Sequence, residues 1–133
     1  FPRYRSDRGA YEKAAVGTLG DLRPGAYGIP EPRPACPAVP EDVCRDEATA
    51  WIVPGLAFDT ASGIRLGRGC GYYDRLLSGV RGPRAGVGWD WQAVTGLPRD
   101  AHDVPMTEIV TDRRVVEIPS PGGDGSGMNG INH

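Results

Sequence analysis

The sequence contains 133 residues, enough for one domain with a buried core. Hydrophobic residues make up 39% and charged residues 24%, as in most soluble globular proteins. The net charge of −2 argues against a nucleic-acid-binding module, because such modules are usually basic. No run approaches the roughly 18 apolar residues of a membrane helix, and no signal peptide opens the chain. We therefore expect neither nucleic acid nor membrane as a partner.

The cysteines indicate the compartment. There are three, Cys36, Cys44 and Cys70, and none is spaced as Cys-x-x-Cys. An odd number without that spacing argues against a disulfide framework or a structural zinc site. We therefore predict a reducing, cytoplasmic location.

Glycine and proline mark the domain limits. The 20 glycines and 13 prolines are clustered, which favours loops and a tail around an ordinary core. Residues 119–133 have hardly an apolar group and are predicted to be a disordered Gly/Ser/Pro-rich tail, because they cannot offset their ordering entropy. Residues 1–118 are predicted to form the domain. Because the first residue is Phe1, we expect the chain to begin inside a larger protein.

The first half of the chain predicts strands and an extended connection. Residues 10–16 predict a short strand, and the prolines between 25 and 40 exclude helix there. Residues 49–58 carry no charge and predict a buried central strand covered on both faces, with a bend at Pro54-Gly55.

The second half predicts alternating elements. Residues 59–63 have the composition of a turn, and a helix is predicted over 72–78, ending near Gly79. Three strands are predicted to follow, over residues 85–89, 108–111 and 115–118. Strand, helix and strand in this order imply a right-handed crossover and a mostly parallel sheet, hence an α/β fold.

The loop before that helix is predicted to bind phosphate. Glycines at 67, 69 and 71 leave backbone amides open to an anion, and the start of a helix favours negative charge. Arg65 and Arg68 add guanidinium groups suited to phosphate oxygens. A simple turn would need one glycine, but not three in alternation beside two arginines.

Asp74 and Asp90 leave alternatives open. Asp74 would repel a phosphate unless Mg²⁺ lies between them; the alternative is that it merely complements the helix dipole, and the residues alone favour neither. Asp90, one strand later, suggests a dinucleotide-binding Rossmann loop. The glycines, however, lack Gly-x-Gly-x-x-Gly spacing, and no Gly-Lys-Ser/Thr closes a Walker loop.

Several blocks together resemble one family. The segment from Val53 to Asp59, followed by Arg65 to Arg75, is similar to the 5-formyltetrahydrofolate cyclo-ligases, also called methenyltetrahydrofolate synthetases. Later blocks match in the right order, and the resemblance extends to about Val116. It is carried also by Tyr27 to Pro32, Gly86 to Trp89 with Gln92, Leu97-Pro98 and His102 to Pro105.

The resemblance implies a Rossmann-like three-layer α/β/α fold and a monomer that uses ATP and 5-formyltetrahydrofolate. ATP would phosphorylate the formyl oxygen, and ring closure would give 5,10-methenyltetrahydrofolate, ADP and phosphate. Mg²⁺ would be held by Asp74 and Asp103, with Arg68 and Tyr72 at the reacting formyl group. The implied ATP-binding residues are Arg65, Leu66, Gly67, Arg68, Gly69, Cys70, Gly71, Tyr72 and Tyr73.

The sequence also departs from the family pattern. An N-terminal helical region that carries a basic ATP contact and a folate-recognising glutamate is missing, and Cys70 stands where glycine or lysine is usual. The alternative is therefore a truncated relative that binds nucleotide or phosphate without catalysis. Trp89 and Trp91 are interpreted equally as ligand-facing or core-covering residues. Of Tyr72 and Tyr73, one is predicted to pack in the core.

Overall fold

The structure is a computed structural model that describes residues 1–69 and 71–120, apart from the side chain of Tyr27. The predictions made for Cys70 and for the tail beyond residue 120 lie outside the described residues. Contacts divide the chain into two compact units, Phe1–Asp46 and Glu47–His133. The single domain over residues 1–118 stays a prediction. No helix among the described residues is long and apolar enough to cross a membrane.

The first unit is built from two antiparallel hairpins and one short helix. Tyr4 lies opposite Tyr11 in the first hairpin, with ring centroids 5.1 Å apart, and such cross-strand aromatic pairs stabilise a ladder. The elements are β1 (Pro2–Arg5) paired with β2 (Ala10–Lys13), β3 (Leu22–Pro24) paired with β4 (Pro30–Pro32), and α1 (Glu41–Arg45).

The predictions for this unit are confirmed in part. The strand predicted over 10–16 is present as β2, and residues 25–40 contain no α-helix, only a 3₁₀ turn over Ala26–Gly28. Helix α1 was not predicted. It begins directly after Pro40, and Glu41 and Asp42 in its first turn complement the dipole of so short a helix.

The second unit contains a mixed, mostly parallel sheet of four strands in the order β11-β10-β8-β5. Strands β5, β8 and β10 are parallel, and β11 is antiparallel to β10. This arrangement confirms the α/β class and the mostly parallel sheet. The strands are β5 (Trp51–Val53), β8 (Arg84–Val87), β10 (Glu108–Val110) and β11 (Val115–Glu117).

A smaller sheet of three strands, in the order β7-β6-β9, supports the candidate loop. Strand β6 pairs antiparallel with β7 and parallel with β9. Helix α2 follows β7, close to the predicted bounds. The elements are β6 (Ala57–Asp59), β7 (Arg65–Leu66), α2 (Tyr72–Leu77) and β9 (Ala93–Val94).

The buried central strand predicted over 49–58 is wrong in two respects. The break at Pro54-Gly55 is present, but β5 and β6 then join different sheets. Strand β5 is also the last strand of its sheet within the described residues, and Ile52 is 77% exposed. Pro54 has no N–H to donate to a ladder, so the chain leaves one sheet there and enters the other.

The core of the second unit fixes helix α2 against the sheet. Its buried members are Val53, Phe58, Leu77, Val80, Met106 and Ile109. Phe58 lies beneath three glycines: an added Cβ at Gly86 would come within 2.5 Å of the Phe58 ring, and those at Gly55 and Gly88 would also meet it. The backbone therefore passes very close to this ring, which places strand ends and loop entrances around it.

Candidate phosphate-binding site

The glycine-rich loop connects β7 to α2, and two of its glycines have positive φ angles. Gly69 has φ +86° and Gly71 has φ +63°, values that side chains other than glycine rarely adopt. Gly71 is the residue that caps the start of α2. An added Cβ at Gly69 would meet no atom within 4 Å, so the space over this backbone is open. Glycine is needed here for conformation rather than for packing.

Arg65 lies across the loop and has few protein partners. Its guanidinium is 5.0 Å from the centre of the Tyr73 ring, within the range of a cation–π contact. One terminal nitrogen donates to the Pro54 carbonyl at 3.4 Å, and the buried Nε has no hydrogen-bond partner within the part of the chain that the structure describes. An added Cβ at Gly67 would come within 2.7 Å of the guanidinium, so this glycine makes room for the arginine. The side chain is thus held in place while keeping donors unused.

Arg68 lies exposed in the same loop. Among the ion pairs of the described residues, none involves Arg65 or Arg68. Two guanidinium groups without a carboxylate partner, beside an open glycine backbone, form a site suited to an anion.

One of the two tyrosines after the loop packs in the core, as predicted. Tyr73 packs against the buried core cluster, and its ring supports Arg65. The two rings meet edge to face, with centroids 5.0 Å apart. Tyr73 is therefore the member of the pair that packs in the core.

The structure brings the segment of Asp103 to Asp74. Oδ1 of Asp74 accepts a hydrogen bond from the backbone N–H of Val104 at 3.3 Å, and Val104 directly follows Asp103. Oδ2 of Asp103 accepts from the N–H of Asp100 at 2.7 Å, in a turn that leaves His102 exposed. No cluster of three or more His, Cys, Asp or Glu side chains suited to a metal occurs among the described residues. An ion here would need two carboxylates together with oxygens of a ligand.

Asp90 argues against the dinucleotide-binding alternative. Its Oδ1 accepts from Nε of Arg114 at 2.8 Å and from Oγ1 of Thr111 at 3.0 Å. These hydrogen bonds, that from Arg114 above all, lower the pKa of Asp90. The carboxylate that a Rossmann site would use for a ribose hydroxyl is thus bonded within the protein.

Two residues that sequence reasoning did not single out for the site hold its surroundings in place. Gln92 donates from Nε2 to the carbonyls of Gly55 at 3.0 Å and Leu56 at 3.1 Å, and its Oε1 accepts from the Trp89 N–H at 2.8 Å. The available signal was its position in the Gly86–Gln92 block. Gln92 joins the turn after β8 to the segment that leads into β6.

Asp59 is the second residue that holds the surroundings of the site in place, and it is 3% exposed. Burial by itself would raise its pKa, but hydrogen bonds from the backbone N–H groups of Ser62, Ala61, Leu97 and Gly96 lower it below the ordinary value. The ionised carboxylate therefore organises both the 59–63 turn and the loop near residue 97. An aspartate that opens a turn directly after a strand was the signal for this role.

Comparison with known proteins gives one consistent family. The family model described as "5-formyltetrahydrofolate cyclo-ligase family" matches residues 1–112. A 5-formyltetrahydrofolate cyclo-ligase of Mycolicibacterium smegmatis is 38% identical over 102 residues, covering 71% of this chain and 50% of the relative. One of Saccharomyces cerevisiae is 35% identical over 108 residues, covering 75% of this chain and 48% of the relative.

A solved structure supports the same relationship. The Aquifex aeolicus 5,10-methenyltetrahydrofolate synthetase superimposes with a TM-score of 0.70 at 36% identity, covering 90% of this chain and 58% of that protein. The chain thus spans about half the length of the curated relatives that it matches.

Proposed function

This chain belongs to the 5-formyltetrahydrofolate cyclo-ligase family, and we propose that it serves the ATP- and magnesium-dependent conversion of 5-formyltetrahydrofolate to 5,10-methenyltetrahydrofolate. ADP and phosphate are the other products. The observation that carries this proposal is the pair Arg65 and Arg68, which have no carboxylate partner among the described residues and lie in an open, glycine-rich loop.

Phosphoryl transfer requires charge neutralisation and positioning more than a protein nucleophile. In the proposed reaction the terminal phosphoryl group of ATP passes to the formyl oxygen, and its bond to ADP breaks. The neighbouring folate nitrogen then attacks the formyl carbon, and the oxygen leaves with phosphate. Arg65 and Arg68 balance the phosphate charge, and the Tyr72 hydroxyl lies with Arg68 at the formyl group. The backbone from Leu66 to Gly71 lines the phosphates, with Tyr73 beneath Arg65.

We assign Asp74 and Asp103 to the magnesium ion. The hydrogen bond from Val104 to Asp74 supports this pairing, because it brings both carboxylate-bearing segments together beside the loop. Carboxylate oxygens suit Mg²⁺, which is usually held by one or two of them together with phosphate oxygens. When bound, the ion neutralises charge on the phosphates, and without it Asp74 would repel them.

The expected setting is a cytoplasmic monomer. Cys36 is a thiol rather than half of a disulfide, and thiols persist in a reducing compartment. Size-exclusion chromatography with light scattering would test the monomer.

Asp74→Asn tests the metal assignment. We expect the Mg²⁺ concentration for half-maximal ATP turnover with 5-formyltetrahydrofolate to rise at least about tenfold, because one of the two metal-holding carboxylates is lost. Binding of Mn²⁺, followed by electron paramagnetic resonance, should weaken in parallel and gives a readout independent of turnover.

The matched control is Asp42→Asn, which removes an exposed carboxylate from the first turn of α1. If Asp74 only complements a helix dipole, both variants should lose a little stability and leave the metal dependence unchanged. That outcome would contradict the metal assignment. Nucleotide binding without turnover in the unaltered protein would instead favour the non-catalytic alternative.

A further inference from the structure

The glycine-rich loop that follows Leu66 (the phosphate loop) and the turn that carries Trp89 and Trp91 lie at the same end of the three-stranded sheet β7-β6-β9. In that sheet Leu66 of β7 pairs with Ala57, and Ala93 of β9 pairs with Phe58. Because β7 is antiparallel to β6, the residues after Leu66 continue past the first residue of β6. Because β9 is parallel to β6, the residues before Ala93 lie at that end as well.

The separation follows from strand spacing. The entrance of the loop and the exit of the turn are two strand intervals apart, or about 10 Å. Leu56 bridges them: its N–H donates to the Leu66 carbonyl at 2.8 Å, and its carbonyl accepts from Gln92 at 3.1 Å. An extended nucleotide or folate is long enough to reach from one to the other.

The turn exposes two large aromatic rings. Trp89 is 60% exposed and Trp91 is 75% exposed. Neither belongs to the buried core cluster nor packs against it. The interpretation that they cover the core therefore fails for the described structure, and core packing does not explain two indole rings at this position.

The turn is nevertheless held firmly in place. The N–H of Asp90 donates to Oδ1 of Asp112 at 2.8 Å, and the Asp90 carboxylate pairs with Arg114. Gln92 makes three side-chain hydrogen bonds, one of them to the backbone of Trp89. Alternate residues thus fix the backbone while the tryptophans between them face solvent, which is the pre-organisation that a binding surface requires.

We propose that Trp89 and Trp91 form a stacking site for a planar nitrogen heterocycle of a substrate held at the phosphate loop. The inference rests on the proposed function. The ring is either the purine of ATP or the pyrimidinone ring of the reduced pterin of the folate, since both offer a flat, nitrogen-containing face. Stacking of such rings on aromatic side chains contributes about 1–3 kcal/mol per ring.

The test uses Trp89→Leu and Trp91→Leu, each with its phenylalanine counterpart as the conservative variant. Calorimetric titrations with Mg-ATP, Mg-tripolyphosphate and 5-formyltetrahydrofolate separate the ring from the phosphates. Ile52→Thr is the matched control, because it removes an equally exposed apolar side chain from β5 of the same unit.

We expect the leucine variants to weaken one ring-bearing ligand about 5- to 150-fold. Phenylalanine should restore most of the affinity, and tripolyphosphate should bind all variants equally. Weaker ATP binding identifies the purine, and weaker folate binding identifies the pterin.

Unchanged binding of both ring-bearing ligands, with tripolyphosphate still bound, would overturn the stacking site and leave the proposed function standing. If the unaltered protein bound neither ATP nor tripolyphosphate, the proposed function would fail and the stacking site with it.

Discussion

Two arginines of the first unit, Arg3 and Arg5, differ from Arg65 and Arg68 of the second unit in what they bond. In the first unit Arg3 is 7% exposed, and its guanidinium donates to Glu12 and to the carbonyls of Arg33 and Cys36. Arg5 beside it pairs with Asp7 and Glu12. In the second unit Arg65 keeps a buried Nε without a partner, and neither it nor Arg68 forms an ion pair among the described residues.

Two carboxylates of the second unit show the same contrast between a side chain whose hydrogen bonds are satisfied within the protein and one whose hydrogen bonds are not. Among the described residues, the buried Asp59 carboxylate accepts hydrogen bonds from three backbone N–H groups, whereas that of Asp74 accepts one, at the long distance of 3.3 Å. Residue type and charge therefore do not distinguish structural from ligand-binding side chains, but the number of donors and acceptors already satisfied does. Substitutions of satisfied groups should change stability, and those of unsatisfied groups should change binding.

The largest effect is expected for Arg3→Met. It removes the donor from Glu12 and from two carbonyls, and breaking a buried ion pair typically costs about 3–5 kcal/mol. The lower end of that range is expected, because Arg5 still pairs with Glu12. Urea unfolding followed by circular dichroism measures the change. Arg23→Met, at an exposed position of the same unit, should stay within about 0.5 kcal/mol of the unaltered protein, and an equal loss there would refute the contrast.

Arg68→Gln should change binding rather than stability. Loss of one donor to a transferring phosphoryl group costs about 10²- to 10³-fold in turnover. The free energy of unfolding should be unchanged within about 0.5 kcal/mol, since no protein carboxylate loses a partner. Steady-state kinetics beside urea unfolding would separate the two effects. A large loss of stability would show that Arg68 stabilises the fold as Arg3 does, and would refute the distinction between structural and ligand-binding arginines.

Asp59→Asn should give a smaller, pH-dependent loss of stability. The amide cannot accept from Leu97 as the carboxylate does, and an unsatisfied buried donor costs about 1–3 kcal/mol. Because the folded-state pKa of Asp59 lies below its ordinary value, its ionised form stabilises the fold above about pH 4, and this stabilisation is lost as the pH falls through the folded pKa.

The difference in the free energy of unfolding between the unaltered protein and Asp59→Asn should therefore be largest near neutral pH and become smaller in acid. Urea unfolding at a series of pH values, with Asp42→Asn as the exposed control, measures it. A difference that did not depend on pH would show that Asp59 acts through packing alone.

The sequence predicted those parts of the fold whose signals are local. Helix α2 follows a glycine-rich loop and carries Leu76 and Leu77 on its buried face, and β8 and β10 are apolar runs between polar turns. The partition of residues 49–58 between two sheets was not predictable in the same way. Pro54 shows that a ladder must break, but only tertiary pairing decides whether the chain rejoins the same sheet.

The candidate site shows the same limit. Alternating glycines and flanking arginines indicated the loop from residues that are neighbours in sequence. The bond from Val104 to Asp74 and those from Gln92 to Gly55 and Leu56 join residues 30 or more positions apart, and spacing alone does not contain them. Residue types thus predicted the anion, but not the contacts that hold the loop and the turn in place.

The position of the Phe58 ring limits the substitutions that the protein can accept in evolution. Gly55, Gly86 and Gly88 are not among the glycines with positive φ, so their backbone conformation does not require glycine, but a methyl group at any of them would meet the ring, and at Gly55 and Gly88 it would also meet Arg65 and Gln92. These three positions therefore share a contact with one benzyl group. A smaller residue 58 would relieve the closest contact at Gly86, but at Gly55 and Gly88 the side chains of Arg65 and Gln92 lie closer than the ring and would still stand in the way. Substitutions at these glycines are thus expected to require accompanying changes at their neighbours.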